Sequence, residues 1–339
     1  MKHLHRLTYN SLGKKPYVFT YQFGNTKDVT IQISKNAVSI NADLNKLYDP
    51  KEMASNKCYL FPDAIKKALL LHILLYSKII SIKTISVQID GDESKIEVSD
   101  NNKPYCLISA GSLERKIPSC WNNPQIIQNI LKQTQSSADS KTAALFAYVY
   151  SKDKQFETER FMYLWMAFNG LYNYLSKQIP LSTKKRIRTE WEQILFLQKF
   201  FNIGKATIRE EDKSRIAHEV VALIKKQEQI RICDLKEIKE NNLPNQIQRF
   251  LVKQNGDPYD LTALGYVLTQ LTYYYRCNLF HASKPMALIS FADENRLVIL
   301  RILNNLLEEF LDENLPKWFD DNYIENNVKP FVRTCINSK

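Results

Sequence analysis

Two hydrophobic periods divide the chain. Over roughly the first 110 residues apolar side chains recur at every second position, the period of a strand half buried against a core. Tyr17, Phe19, Tyr21 and Phe23 alternate with smaller or polar residues. Val29, Ile31 and Ile33 repeat the pattern after a Gly24-Asn25 turn signal. Val38 and Ile40 continue this set or pair with it. Ile80, Ile82, Ile85, Val87 and Ile89 mark a second strand region, and Ile96 and Val98 follow the turn residues Asp90-Gly91-Asp92. The stretch from Tyr105 to Ser109 reads as one more strand. Between the two groups the period changes. Ile65, Leu69, Ile73 and Tyr76 recur at helical spacing behind Pro62 and Asp63, both suited to a first helical turn. Leu70, Leu71, Leu74 and Leu75 widen the apolar face, so this helix is expected to be covered on more than one side.

The alternation stops near Gly111–Pro124. A polar break, Gln133 to Ser140, separates two short helical stretches. From Phe156 onward the period is almost wholly helical. Phe161, Leu164, Trp165, Phe168, Leu171, Tyr172 and Leu175 form one core stripe, which Pro180 ends. Further helices are expected from Trp191 to Leu197, around Ile216 to Ile224, from Leu261 through Tyr275 until Pro285 stops it, and from Leu300 to Leu311. Asn241–Pro244 and Asn255–Pro258 read as loops. Long amphipathic helices joined by short loops make a bundle. The expected fold class is therefore an α+β N-terminal domain followed by an all-α helical bundle. The expected boundaries are 1–115 for a mixed α/β domain, 116–155 for a helical linker and 156–339 for the helical domain.

Composition narrows the function classes. Hydrophobic residues are 44% of the 339 and charged residues 24%, which suits globular cores and excludes a wholly disordered chain. A net charge of +11 suits either a solvated basic surface or attraction to a polyanion, nucleic acid first among them. No pair of the six cysteines forms a CxxC, so they read as free thiols in a reducing cytosol. The apolar run Ala68–Leu75 is too short to span a bilayer and Met1–Asn10 lacks a signal-peptide core, so the expected location is the cytoplasm, with no membrane partner. Only eight glycines occur, and neither a GxGxxG nor a GxxxxGK[ST] loop is among them. HExxH and GxSxG are missing too. Of the histidines, only His3 and His5 stand at metal-ligand spacing, in a terminus expected to fray; no metal and no cofactor is expected. His218-Glu219 reads as the solvated face of an ordinary helix.

The chemistry-bearing stretch is Tyr275-Arg276-Cys277-Asn278-Leu279-Phe280-His281-Ala282-Ser283-Lys284. RCNLFHASK resembles the R-x4–6-H signature of HEPN domains. The segment Phe161 to Leu175, FMYLWMAFNGLYNYL, looks like the aromatic first helix that accompanies it, about 110 residues earlier. The resemblance covers about residues 156–315. Cys277 follows the arginine where that family often carries Asn, Asp or His, and Ala282 follows the histidine where glycine is frequent. The resemblance implies a frequently dimeric helical bundle and, in many members, a metal-independent ribonuclease of toxin–antitoxin, antiviral or CRISPR effector systems. It implies catalytic roles for Arg276 and His281, with Asn278, Lys284 and Asn169 as supporting candidates.

The residue types suit that chemistry on their own terms. Metal-free RNA cleavage needs a 2′-hydroxyl deprotonated, a 5′-oxygen protonated and a phosphorane stabilised. Histidine titrates near neutrality and can move those protons. Arginine keeps its charge and presents a planar fork that fits phosphate. Five residues along a helix is a rotation of about 500°, leaving the two side chains about 140° apart. One copy splays them; two copies across a seam would place both pairs around one phosphate. Other readings stay open. A histidine at a helix C-terminus can simply complement the dipole, and Arg276 can be a surface ion-pair residue. Tyr273–Tyr275 can serve core and interface instead of base stacking. Asn169, a polar residue inside an apolar helix, can brace the active helix or cap a neighbouring backbone group.

The leading expectation is thus an endoribonuclease that leaves 2′,3′-cyclic phosphate ends, in bacterial defence or a toxin system. Its partners would be RNA, a second copy through the HEPN domain, and an antitoxin or effector-complex protein. The alternatives are a non-catalytic dimerisation or RNA-binding scaffold, or a subunit active only beside another enzyme. The N-terminal module would sense a trigger, hold a partner or position RNA, and Tyr17, Tyr21, Lys14 and Lys15 are its candidates for nucleic-acid contact.

Overall fold

The computed structural model describes residues 3–9, 16–23, 27–44, 49, 60–79, 84–90, 92–97, 111–133, 140–177, 215, 271–273, 275–276, 279 and 294–330. The strand expected at Tyr105–Ser109, the helices at Trp191–Leu197 and Ile216–Ile224, and most of Leu261–Tyr275 lie outside them. The chain divides into two compact units, 1–142 and 143–339. The first is α+β and the second, as far as it is described, is helical.

The first unit rests on the period-two segments. Strands β1 (His3–Tyr9), β2 (Tyr17–Phe23), β3 (Lys27–Ser34), β4 (Ala37–Leu44), β6 (Thr84–Ile89) and β7 (Asp92–Glu97) form an antiparallel sheet in the order β2-β3-β4-β1-β6-β7. A short pair, β5 (Lys78–Ile79) with β8 (Gly111–Ser112), lies apart from it. Register follows the hydrophobic pattern, because a slip of one residue would turn every apolar side chain to the other face. Phe19 stands opposite Ile31, Ile31 opposite Ile40, Ile40 opposite Leu7, and Leu7 opposite Val87. Val29, Ile31, Ile33, Val38, Ile40 and Ala42 are all buried as a result.

Helix α1 (Leu60–Tyr76) covers that face against β3 and β4, with Ala64, Ile65, Ala68 and Leu71 fully buried. Its wide apolar surface has a second cover, as expected from the sequence. The turn Ser119–Asn122 packs on it and buries Trp121 completely.

One expectation is overturned at the N-terminus. His3 and His5 do not sit in a frayed end. They belong to β1, an interior strand paired with β4 on one side and β6 on the other. The sequence hides this because HLHRLTY alternates imperfectly: Leu7 and Tyr9 fall in one phase and Leu4 in the other. Pairing on both sides compensates by satisfying the backbone donors and acceptors.

The segment 116–155 carries the turn Ser119–Asn122 and two helices joined to non-helical stretches, and it falls partly in each unit. Helix α2 (Pro124–Gln133) belongs with the sheet, where Gln128 Nε2 donates to the Thr20 carbonyl on β2 at 2.6 Å. A side chain thus occupies an outward carbonyl on an edge strand, which blunts pairing with other strands. Helix α3 (Ser140–Ser151) crosses the division at residue 142.

In the second unit, α4 (Glu157–Lys177) packs on α5 (Glu294–Asn314). The expected stripe is the buried one: Phe161, Leu164, Trp165, Phe168 and Leu171 face inward, and Leu300, Leu303, Leu307, Phe310 and Leu311 do so on α5. Phe168 meets Phe310 edge to face at 5.4 Å between centroids. Beyond α5 the chain turns through Pro316–Phe319, burying Trp318 against Tyr174 at 5.2 Å. Among the described residues no helix is long and apolar enough to cross a membrane.

Candidate active site

The described residues 271–273, 275–276 and 279 are helical and fall within the helix expected from Leu261 until Pro285. Leu271, Tyr275 and Leu279, four residues apart, are all buried. That spacing puts them on one face, with Arg276 on its flank and Tyr273 on the opposite side. The Tyr273 ring lies 6.5 Å from that of Trp165 on α4, which ties the segment to the aromatic stripe. Arg276, one turn further on, is half-buried and its guanidinium carbon stands 5.8 Å from the Tyr273 ring centroid. A cation near an aromatic face is attracted by the ring quadrupole. The Arg276 Nε is shielded from solvent.

Asn169 lies one turn beyond Trp165 on α4 and is half-buried. Its Oδ1 accepts a hydrogen bond from Asn173 Nδ2 at 2.6 Å. The observed partner is therefore a side chain on the same helix, four residues on. Trp165, Asn169 and Asn173 make a stripe in which an aromatic contact gives way to a pair of carboxamides. Arg276 and Asn169 are each one step from the Trp165–Tyr273 contact. Asn278, His281 and Lys284 lie outside the described residues, as do Cys277 and the His218-Glu219 pair.

A second cluster was not singled out from the sequence. Lys152 and Arg160 are almost fully buried, and both are held by carboxylates. Lys152 Nζ is 2.6 Å from Glu308 Oε1 and 2.9 Å from Asp312 Oδ1. Arg160 pairs with Glu308 and, at 3.1 Å, with Glu157. The Tyr148 hydroxyl donates to Asp312, and Asn304 Nδ2 donates to Glu157 Oε2 at 2.7 Å. Burial alone would raise the Glu308 carboxyl, but Lys152 and Arg160 outweigh it and hold its pKa below the ordinary value. At Asp312 burial wins, aided by repulsion from Glu308, and its pKa is raised.

This cluster ties α3 and α4 to α5. Every carboxylate in it is engaged by a cation or donor within the protein, so it acts as a brace. A signal for it exists in the sequence. Asn304, Glu308 and Asp312 recur every four residues on a helix that is otherwise apolar at its core positions, and Glu157 stands three before Arg160. Among the described residues no group of three His, Cys, Asp or Glu side chains is placed to hold a metal ion.

Comparison with family models, with curated proteins and with solved structures finds no match to this chain.

Proposed function

We propose that the chain is a metal-independent endoribonuclease of HEPN type, with Arg276 and His281 as its catalytic pair. The observation that carries the reading is the placement of Arg276. It is helical, half-buried and backed by Tyr273, in a segment joined to the α4 stripe through Trp165. A cation partly removed from water interacts more strongly with a phosphate than one in bulk solvent. His281, five residues on, would move the protons. Asn169, its Oδ1 taken by Asn173, would support the seam. Residues 156–339 would form the HEPN-like bundle and pair with a second copy.

A second reading rests on the same arginine. Packing of its guanidinium on Tyr273 suits a structural cation in a scaffold that binds RNA or a partner without cutting. Incubating wild-type and His281→Ala protein with total RNA in EDTA separates the two. The nuclease reading expects cleavage by the wild type in chelator, 2′,3′-cyclic phosphate ends, and none from the variant. Activity that disappears in EDTA and returns with magnesium refutes the metal-independent mechanism. RNA that stays intact with both proteins supports the scaffold.

A further inference from the structure

One pole of the first unit carries a combination that the nuclease reading does not use. Tyr17 is 41% exposed, large for an aromatic ring. Its ring is not loose. It stacks on the buried Phe19 with 8° between planes and meets Tyr76 edge to face at 6.3 Å. Tyr76, the last residue of α1, is itself half-buried. The two tyrosines form a fixed aromatic shelf open to solvent.

Cations frame it. The β3–β4 turn brings the exposed Lys35, the residue after α1's capping serine brings Lys78, and the segment 113–117 brings Arg115 and the exposed Lys116. Against these four stands one carboxylate on the same stretches, Glu114. None of the three lysines forms an ion pair with a described carboxylate. Among the described residues Lys78 Nζ donates to the neutral Asn36 Oδ1, at 3.4 Å.

The frame is held at a cost. Ser77 adopts φ 50°, a left-handed conformation that a residue with a Cβ resists. Its N–H closes the helix on Ile73 O at 2.8 Å. The strained residue then anchors the basic segment, its carbonyl accepting from Leu113 N–H at 3.1 Å and its Oγ from Ile117 N–H at 2.9 Å. The buried His72 ring contacts Lys78 O at 2.7 Å through Nδ1 and Lys35 O at 3.0 Å through Nε2. The ring thereby lies between the backbones of two of the lysines and, as the neutral imidazole, donates to one of the two carbonyls.

We infer that this pole binds single-stranded RNA, with Tyr17 and Tyr76 stacking on bases and Lys35, Lys78 and Lys116 contacting phosphates. Every base offers a π-face, so such a shelf is tolerant of sequence, while lysines at its edge follow the backbone. The net positive charge of the frame, in a chain of +11, selects a polyanion. Exposed, pre-ordered rings are reachable by the splayed bases of a single strand and not by the stacked bases of a duplex. This inference concerns binding and stands whether or not residues 276–281 cleave.

The test uses the full chain and two fluorescent probes, a uridine 12-mer and a thymidine 12-mer; the second lacks the 2′-hydroxyl and cannot be cut by 2′-hydroxyl attack. Fluorescence anisotropy is expected to show tighter binding to both than to a duplex of equal length. Tyr17→Leu and Tyr76→Leu, which keep apolar bulk, should each weaken binding about tenfold. The Lys35→Gln, Lys78→Gln double variant should reduce the salt dependence of log affinity by about 1.4, for two phosphate contacts on a single strand. Lys116→Gln, on an exposed side chain, gives the same type of readout if the double variant fails to fold. Unchanged affinity in both leucine variants overturns the inference. So does equal binding of the duplex, or capture by phosphatidylserine vesicles in place of the oligonucleotides.

Discussion

Replacing Glu308 by Gln removes one carboxylate from a cluster in which nearly every charge is enclosed. Lys152 and Arg160 have side chains 2% exposed, while Glu157, Glu308 and Asp312 are 12%, 13% and 25% exposed. Arg301, 56% exposed, contacts Glu157 from the rim and balances the third carboxylate. The variant therefore leaves each enclosed cation with one carboxylate and the cluster, its rim included, with one positive charge in excess. Breaking one side of a buried pair costs about 3–5 kcal/mol. The lower end applies here, because each cation keeps a second carboxylate: Asp312 for Lys152 and Glu157 for Arg160. Asp312 also loses the repulsion from Glu308 that helps hold its pKa up, and becomes easier to ionise. A cost of about 3 kcal/mol corresponds to roughly 100-fold faster amide exchange wherever exchange requires this cluster to open. Hydrogen-exchange mass spectrometry on peptides from 140–177 and 294–314 measures it within the second unit alone. Adding Lys152→Met removes the excess positive charge, and the double variant should recover at least about 1 kcal/mol relative to additivity. A change below about threefold in the single variant, or strict additivity in the double, would show that the cluster is solvated enough to be no brace.

Three further outcomes follow from particular residues. Arg276→Ala should abolish cleavage, and Arg276→Lys should also fail, because a point charge does not replace a bidentate fork; a fully active lysine variant would mean that Arg276 only neutralises charge. Burial lowers the His72 pKa below 6.5 despite the two carbonyls that favour its imidazolium. The unfolded chain then takes up a proton that the folded one resists, so stability of the first unit should fall as pH drops through about 6.5 and below. His72→Gln should flatten that slope, and an unchanged slope in urea titrations across pH 5–8 would assign it to other groups. Mixing inactive Arg276→Ala and His281→Ala proteins should restore part of the cleavage if one subunit supplies the arginine and the other the histidine; no recovery in a mixture shown to exchange subunits argues against a shared site.

The parts of the fold legible in the sequence are those where one period dominates. Val29, Ile31 and Ile33 alternate without interruption and form a buried strand face, and Phe161 to Leu171 keep helical spacing and form the buried stripe of α4. β1 was not legible because its apolar residues are split between two phases, and its place in the sheet depends on two neighbours far away in sequence. The ionic brace left only a spacing in the sequence, Asn304, Glu308 and Asp312 on one helix face. Lys152 and Arg160 are ordinary surface types until the fold brings both to the carboxylate of Glu308. Arg276 stood out in the sequence as a candidate, because an arginine and a histidine five residues apart suit phosphate chemistry. Its half-burial against Tyr273 did not, since that depends on Trp165, more than 100 residues earlier.

That half-burial also bears on how the proposed site would work. A guanidinium resting on an aromatic ring has already lost part of its hydration, so phosphate binding would displace less water from it. The same contact limits its freedom, which favours a fork held in one orientation over a mobile charge. A merely structural arginine would share both properties, and only chemistry distinguishes them. Tyr273 provides the lever, because it touches Arg276 on one side and Trp165 on the other. Replacing it by Leu keeps apolar bulk against Trp165 but removes the ring face. If Arg276 is catalytic, the Tyr273→Leu variant should lower kcat more than it raises KM, since an ill-oriented fork loses transition-state contacts first. If Arg276 is structural, the same substitution should reduce stability and leave any RNA affinity unchanged. A fall in kcat with thermal stability unchanged supports the catalytic role, and a fall in stability with kcat unchanged refutes it.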